Sequence, residues 1–499
     1  MPGRDLYLAI DVGTGSLRAA LVDRGGAIRA IASREHEQIV PQFGWSEQRP
    51  ADWWDGTVAA IRDVLTRVEE APARVAALCA CGQMHGTVLI DDAGTPTRET
   101  VPLWNDKRTL ADVEAFSARH APATHLARTA NPPSPAWPAF KLRWIAAHDP
   151  EAFARARTVL MPKDWINFRL TGRRGTDRTE ASMSFLMEAA TRDWSAPLLE
   201  LAGLPRTLLP PLHDPADILG PLSAEAAGLL GLAPGLPVLV GGGDYPVALL
   251  GSGVMAPGMA SDVTGTSTIV TLLHAAPVID PEVSNVATVE GNWGSLTLLD
   301  AGGDAVRWAR RAFHENRRSY AEVSEAAGRA APGAGALFFL PYLSGERFGA
   351  HRNSRAQFFG LTASHGLPEL HRAVLEGVAF SVRLRLGTLQ PSGARPDRFV
   401  AASGGAKSDL WLRIKASMYR VPYLVPRELE CGVVGAAAMM AVAVGDAPDL
   451  ATAVGRMVAF DREIPPDPDW ADRYDRMMPV YAGLHAAAQP FYAELDALA

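Results

Sequence analysis

One turn occurs twice in this chain, and that repetition limits what the chain can fold into. DVGTGS occupies residues 11–16 and DVTGTS occupies 262–267, each set between apolar segments. An acidic residue followed by glycines and hydroxyls between two strands is one supersecondary unit. Its recurrence, once early in each half, implies a duplicated architecture. At 499 residues the chain is also too long for one core, so two large domains are expected. Backbone amides and hydroxyls in such a turn (Gly13, Thr14, Gly15 and Ser16, then Thr264, Gly265, Thr266 and Ser267) can cradle a phosphate. Asp11 can hold Mg²⁺ there, usually through water. Two turns facing one cleft would clamp a polyphosphate from both sides, whereas either one alone reads as a plain β-turn.

A third element completes the set. In FVAASGGAKSDLWLRIKA (399–416) a strand meets Ser403, Gly404 and Gly405 before a helix begins. Glycines at a strand-to-helix turn let a nucleotide lie against bare backbone at the helix N-terminus. The spacing is neither GxGxxG nor GxxxxGK[ST], so a dinucleotide site and a P-loop are both excluded. Near the middle of the chain, the apolar run PVLVGG leads into GGGDYPVALLGSG (241–253). The run reads as a buried strand, and the glycines let backbone approach a ligand closely. Asp244, delivered at that strand end, is a candidate general base, with a capping role for the next helix as the alternative.

Candidate sugar contacts lie in the first half. VAALCACGQMHG (75–86) reads as a buried strand ending in Gln83, Met84 and His85. A lone histidine is more often structural, but one at a strand end beside two glycines can donate to a ligand hydroxyl. VPLWNDKR (101–108) supplies Trp104, Asn105 and Asp106, an aromatic face with amide and carboxylate groups, which suits a polyol. MPKDWINFRLTG (161–172) and HRAVLEGVAFSVRLRLGTL (371–389) read as helices, the second with Leu375, Val378, Ala379 and Val382 on one face. TDRTEASMS (176–184) is polar enough to face the cleft, and FFLPYLSGERFGAHRNSRAQFFGL (338–361) reads as a long aromatic and basic loop. The chain past 460 reads as a peripheral helix or tail.

Composition removes other classes. Net charge is −7, with no basic surplus for nucleic acid or an anionic membrane. Cys79, Cys81 and Cys431 make neither a disulfide framework nor a strong metal site, and read as small buried apolar residues in a reducing compartment. GVVGAAAMMAVAVG (432–445) is too short for a membrane span and reads as a packed helix. The apolar run in MPGRDLYLAIDVG ends at Asp11, so no signal-peptide pattern is seen and the expected location is the cytoplasm.

In chain order, DVGTGS, WSEQRPADWW (45–54), GQMHG (82–86), LWNDKR (103–108), MPKDW (161–165), TRDWS (191–195), GGGD (241–244), TGTS (264–267), LPYLSGER (340–347), AVLEG (373–377) and SGGAKSDLW (403–411) resemble the FGGY family of carbohydrate kinases. The pattern is most similar to the family's xylulose-phosphorylating branch. The resemblance implies an α/β fold of two ribonuclease H-like, actin/hexokinase-type ATPase domains around a central cleft. These would be an N-terminal sugar-binding domain over 1–240 and a C-terminal nucleotide-binding domain over 241–499. It implies ATP-dependent phosphorylation of a sugar hydroxyl, with D-xylulose as the expected substrate and ATP and Mg²⁺ required. Asp244 would be the base, and Asp11 with Asp244 the metal site. Gln83, Met84, His85, Trp104, Asn105, Asp106, Asp244 and Tyr245 would form the sugar site. Gly404, Gly405, Ala406 and Lys407 would join both turns around ATP. A homodimer is compatible with the sequence, and neither nucleic acid nor membrane is an expected partner. Two departures stand out. Tyr245 and Pro246 follow the base where relatives carry a carboxamide, and Lys107 replaces a glycine. Tyr245 is expected to point into the sugar pocket, with packing beneath the turn as the alternative, and Pro246 to bias it away from helical geometry. Alternatives are another ketose or polyol such as ribulose, erythritol or glycerol, a silent sugar-binding regulator, and an actin-type assembly protein.

Overall fold

The computed structural model describes residues 3–346, 353–391, 393 and 395–498. Two sheets form its frame. The first contains β1 (Leu6–Val12), β2 (Ser16–Asp23), β3 (Ile28–Glu35), β4 (Val75–Gly82), β5 (Ile218–Pro221) and β6 (Pro237–Leu239). The second contains β7 (Met259–Thr264), β8 (Thr268–His274), β9 (Ser284–Ala287), β10 (Trp293–Leu299), β11 (Arg398–Ala402), β12 (Tyr423–Pro426) and β13 (Phe460–Ile464).

The strand orders are β5–β6–β4–β1–β2–β3 and β9–β10–β8–β7–β11–β12–β13. In the first sheet β1, β2 and β3 form an antiparallel meander, and β4 and β6 extend it in parallel. In the second, β7, β8 and β10 form the meander, and β11 and β12 extend it in parallel. Each sheet then closes on an antiparallel edge strand, β5 or β13. Apart from the additional strand β9, the second sheet repeats the first. The duplication expected from the two turns is therefore present at the level of whole sheets.

The helices that matter for the site are α1 (Pro50–Thr66), α2 (Pro138–His148), α3 (Pro162–Thr171), α4 (Arg178–Ser182), α5 (Asp244–Gly251), α6 (Gly303–His314), α7 (Leu367–Leu386), α8 (Asp409–Tyr419), α9 (Cys431–Ala443) and α10 (Pro468–Ala488). α1 starts with Pro50 at a first-turn position and buries Trp53, Trp54, Ala60, Ile61 and Val64, the i, i+3/i+4 stripe of an amphipathic helix. With Trp165 and Ile166 of α3 it covers one face of the first sheet. The other face, carrying Tyr7, Ala9, Cys79 and Cys81, packs on Val433, Ala436, Ala437 and Met440 of α9 and on Val247 and Leu250 of α5. Sandwiched this way, α9 is apolar all round. Where α5 crosses α9, a Cβ on Gly251 would lie 1.8 Å from the Cys431 carbonyl oxygen, and one on Gly435 2.1 Å from that of Val247. Only glycine allows backbones this close.

The second sheet packs on α7, α8 and α10. Leu375, Val378, Ala379 and Val382 of α7 are all buried, as their spacing predicts. The segment past 460 is not peripheral. β13 is an edge strand, and α10 buries Tyr474 and Tyr481 completely. Tyr474 donates to Glu376 (2.7 Å), which also pairs with Arg372 (2.7 Å). In the 338–361 segment, Phe338–Leu340 pairs antiparallel with Gln357–Phe359, and Arg347 lies outside the described residues. Among the described residues no helix is long and apolar enough to cross a membrane.

Candidate active site

After β6 the chain turns through Gly241, Gly242 and Gly243 and enters α5 at Asp244. Gly241 has φ +69°, and a Cβ there would lie 1.8 Å from the Ala80 carbonyl oxygen. A Cβ on Gly243 would lie 2.7 Å from Met84 Cγ. The glycines thus bring the turn against the end of β4 and Met84, rather than against a ligand as expected. Gly243 takes the cap position and Asp244 is the first helical residue, so capping is not the role of Asp244. Its Oδ1 accepts only the adjacent Tyr245 N–H (2.7 Å). Pro246 sits inside the first helical turn, contrary to the expected distortion. A proline is tolerated there because first-turn N–H groups have no intrahelical partner.

Asp11 is the last residue but one of β1, opposite Arg18 on β2 and Cys81 on β4. Its Oδ1 is buried without a hydrogen-bond partner. Arg18 is 3.7 Å from Oδ2 but closer, at 3.1 Å, to Glu430. Burial, only partly opposed by Arg18, pushes the Asp11 carboxyl up to about 6. Burial, and then the charge of Asp11, pushes Asp244 up to about 7. The two carboxylates therefore feel each other across one buried region.

The first turn is held by side chains from elsewhere. Thr14 Oγ1 donates to Gln83 Oε1 (3.2 Å) and accepts from the Trp104 indole N–H (2.9 Å). Gln83 Nε2 donates to Gln48 Oε1 (2.8 Å), and Gln48 Nε2 to the Thr14 carbonyl (2.6 Å). Gln83, 1% exposed, and Trp104 were expected on a sugar, but both of their polar ends secure the turn. Asp106 needs a stronger correction. It is 1% exposed, and its oxygens accept from the Ser46 N–H (2.7 Å) and the Arg108 guanidinium (2.7 and 2.9 Å). Arg108 in turn reaches Glu47 at 2.6 Å and lies 3.7 Å over the Trp45 ring. Asp106 is a strut in a closed ion-pair cluster, with no lone pair left for a ligand. Lys107 is exposed beside it.

Met84, His85 and Asn105 fit the expectation better. Met84 is buried against Gly243. His85 sits at φ +72°, in the left-handed region that non-glycine residues hold uncommonly. Its Nδ1 is buried without a partner, and burial plus Lys141 keep the ring neutral by driving its pKa well down. Asn105 Oδ1 is likewise buried and unpartnered. Two buried groups beside these went unread in the sequence. Lys141 of α2 donates to the His85 carbonyl (2.8 Å), and burial lowers its pKa to about 7. Glu180 of α4 has both oxygens buried and unpartnered. Glu180 lies in the polar stretch 176–184 expected at the cleft, whereas Lys141 belongs to no local pattern that points to a site.

The second turn meets the glycine loop after β11. A Cβ on Gly405 would lie 2.7 Å from Thr264 Cβ, and one on Gly265 3.2 Å from Ser403 Oγ. Gly404 faces open space, while Ser403 is held at φ +66° and ψ −160°, a strained conformation for serine. Thr266 and Lys407 are exposed, Ser267 half-buried and Ala406 buried in the core. Thr264 is a correction. Its hydroxyl bonds Asp262 (2.6 Å), Thr268 (3.1 Å) and Lys415 (2.7 Å) and is unavailable to a nucleotide. The sequence reading also missed the start of α6. Gly303 N–H and Asp304 N–H bond the Gly265 and Thr266 carbonyls (2.9 Å each), and a Cβ on Gly303 would lie 2.2 Å from the Gly265 oxygen. From Asp304 a cavity of about 910 Å³ opens along Arg307, Trp308, Arg311 and Ser344.

Tyr245 does not offer its phenol to a sugar. Its hydroxyl lies 2.6 Å from Thr271 Oγ1 on β8, and its ring packs both on the core cluster that contains Met84 and Val286 and on the one that contains Leu249 and Val400, clusters that join the halves. It follows Asp244 directly yet belongs to the contact between the two sheets.

Among the described residues no group of three or more His, Cys, Asp or Glu side chains gathers as a metal cage. What the arrangement offers is two carboxylates, two amide-rich turns and a set of unpartnered polar atoms near Met84.

The N-terminal domain model of the FGGY family of carbohydrate kinases matches residues 6–251, and the C-terminal domain model matches residues 260–444. The chain is 32% identical over 418 residues to xylulose kinase from Escherichia coli strain K12, covering 83% of this chain and 84% of that one. The structure of xylulose kinase from Rhodospirillum rubrum superposes with a TM-score of 0.91 at 32% identity, covering 98% and 100% of the two chains. Gluconate kinase from Lactobacillus acidophilus superposes with a TM-score of 0.92 at 26% identity, covering 98% and 100%. The chain belongs to the FGGY family of carbohydrate kinases, phosphotransferases that use ATP to phosphorylate a sugar.

Proposed function

We propose that this enzyme transfers the γ-phosphoryl group of ATP to O5 of D-xylulose, with Asp244 as general base. One observation carries the assignment. Asp244 opens α5 with a carboxylate that bonds only its neighbour's N–H, and burial beside Asp11 raises its pKa to about 7. A base poised near neutrality, in reach of a bound hydroxyl, is what proton abstraction requires. In a loose phosphoryl-transfer transition state the proton moves late, so holding the hydroxyl in line matters more than base strength. Met84, His85 and Asn105 bind the sugar. Neutral His85 turns its unpartnered Nδ1 to a hydroxyl, and Asn105 Oδ1 accepts from another. The amides of both turns and the open Gly404 backbone hold the phosphates.

Mg²⁺ fits the residues present. Asp11 carries a buried, unpartnered oxygen with Asp244 electrostatically close, and Mg²⁺ is commonly held by one or two carboxylates plus substrate phosphates. When bound it would neutralise phosphate charge. The sugar sits on the half ending near 240 and the nucleotide on the half that follows, so closing the cleft excludes water as a competing nucleophile.

The similarity to gluconate kinase favours a second reading in which the acceptor is a related sugar acid or polyol. ADP release measured with D-xylulose, D-ribulose, glycerol and D-gluconate separates them. D-xylulose as the best acceptor supports the first reading, and another acceptor in that place overturns it. Asp244→Asn should lower turnover about 10²–10⁴-fold at unchanged sugar affinity. Near-normal turnover in that folded variant removes Asp244 from the mechanism.

A further inference from the structure

Two sequence motifs that the reaction leaves unused, MPKDW (161–165) and TDRTE (176–180), meet behind the glycine turn that presents Asp244. At the start of the turn, the Val240 carbonyl accepts from Lys163 Nζ (3.0 Å) and from Asn167 Nδ2 (2.6 Å), both on α3. At its end, the Gly243 N–H donates to Thr179 Oγ1 (3.0 Å) on α4. The two anchors are joined to each other. Lys163 Nζ lies 2.7 Å from Asp177 Oδ2, Asp177 Oδ1 accepts the Thr179 N–H (2.7 Å), and the Thr179 hydroxyl donates to the same oxygen. Asp164 completes the chain at 2.6 Å from Lys163. Lys163, Asn167, Asp177 and Thr179 are all 0% exposed.

This chain does what the turn cannot do for itself. Residues 241–243 are all glycine, so no side chain of the turn fixes its path, and glycine is the most permissive of residues. The turn is bonded from α3 and α4 at both ends, one residue before Asp244 at the second. A misplacement of about 1 Å at a reacting group can cost about 10²-fold in rate. We infer that Lys163, Asn167 and Thr179 are positioning residues that fix the glycine turn, and through it the Asp244 carboxylate, for proton abstraction. The inference rests on the reading of Asp244 as the base.

The experiment compares Thr179→Val, Thr179→Ser and Asp244→Asn in the full chain, with kcat, sugar KM and thermal stability measured on each. Thr179→Val keeps the shape and removes the acceptor for the Gly243 N–H. It should lower kcat about 10- to 100-fold with sugar KM within about twofold. Thr179→Ser keeps the hydroxyl and should recover most of kcat. A merely structural threonine would instead lower the melting temperature while the folded fraction turned over at the wild-type rate. An inactive Asp244→Asn together with a Thr179→Val enzyme of wild-type kcat overturns the positioning role alone. An active Asp244→Asn overturns the base, and with it the positioning role. If Thr179→Val does not fold, Asn167→Ala takes its place, since it removes only one of the two donors to Val240. A lowered kcat at constant KM supports the inference there, and an unchanged kcat overturns it.

Discussion

Asp11 lies next to the end of β1 and Asp262 near the end of β7, the same place in two copies of one turn. Asp11 keeps one oxygen buried and unpartnered, and its nearest cation, Arg18, lies at 3.7 Å and is shared with Glu430. Asp262 is 2% exposed and saturated, accepting from Lys415 through both oxygens (3.0 and 2.9 Å), from Thr264 (2.6 Å) and from Tyr423 (2.7 Å). The partner across the hairpin differs too: arginine opposite Asp11, valine opposite Asp262. Duplication supplied the same carboxylate twice. One copy stays unsatisfied at a cost in stability. The other ties its turn to α8.

The largest effect that tests this contrast belongs to the closed copy. Lys415→Met leaves Asp262 as a buried charge without its cation and should cost about 3–5 kcal/mol of stability. Adding Asp262→Leu should recover much of that, because an apolar pair of similar volume is often neutral. Denaturant unfolding of both variants checks it. A loss below about 1 kcal/mol for Lys415→Met would show that the turn is held by something else.

The open copy should respond in the opposite direction. Asp11 has a folded pKa of about 6, above its unfolded value, so between pH 4 and 6 the folded chain binds more protons than the unfolded one. Wild-type protein therefore loses stability as pH rises through that window, and Asp11→Asn does not. Without Mg²⁺ or nucleotide, Asp11→Asn should be about 1–3 kcal/mol more stable than wild type at pH 8 and equal to it near pH 4. It should also raise the Mg²⁺ concentration needed for half-maximal rate. Equal melting temperatures at both pH values would place Asp11 with Asp262 as a satisfied group.

The smallest effect concerns the residue that joins the halves. Tyr245→Phe deletes the bond to Thr271 and should cost about 0.5–1.5 kcal/mol while leaving the order of preferred sugars unchanged. A reordered preference would return the phenol to the sugar pocket.

What the sequence discloses follows from how local each feature is. Both turns, the glycines after β11, the aspartate that follows a strand run and the apolar residues of α7 and α9 are properties of neighbouring residues. They are legible from spacing alone. The direction of a side chain is set by distant partners and is not. Gln83 and Trp104 carry polar ends that suit a sugar, but Thr14, 69 and 90 residues away, takes them. Asp106 looks available until Arg108 folds back over Trp45. Thr264 loses its hydroxyl to Lys415, 151 residues on. Gly302 and Gly303 carry no motif of their own, and matter only because the second turn lies against them. In the chain past 460 a helix is legible, but its burial against α7 and α8 depends on residues far away in sequence and is not.

The crossing of α5 and α9 ties the chemistry to residues remote from it. α5 carries Asp244 at its first residue and Gly251 at its last, about 10 Å apart along the axis of one short rigid rod. At the far end the rod rests on bare backbone, so even a methyl group at Gly251 or Gly435 would have to pry it away from α9. That displacement would travel down the rod to the carboxylate. In a library of variants these two glycines would score as active-site positions, although neither comes near a substrate, and a search for new specificities in this scaffold would have to leave them fixed.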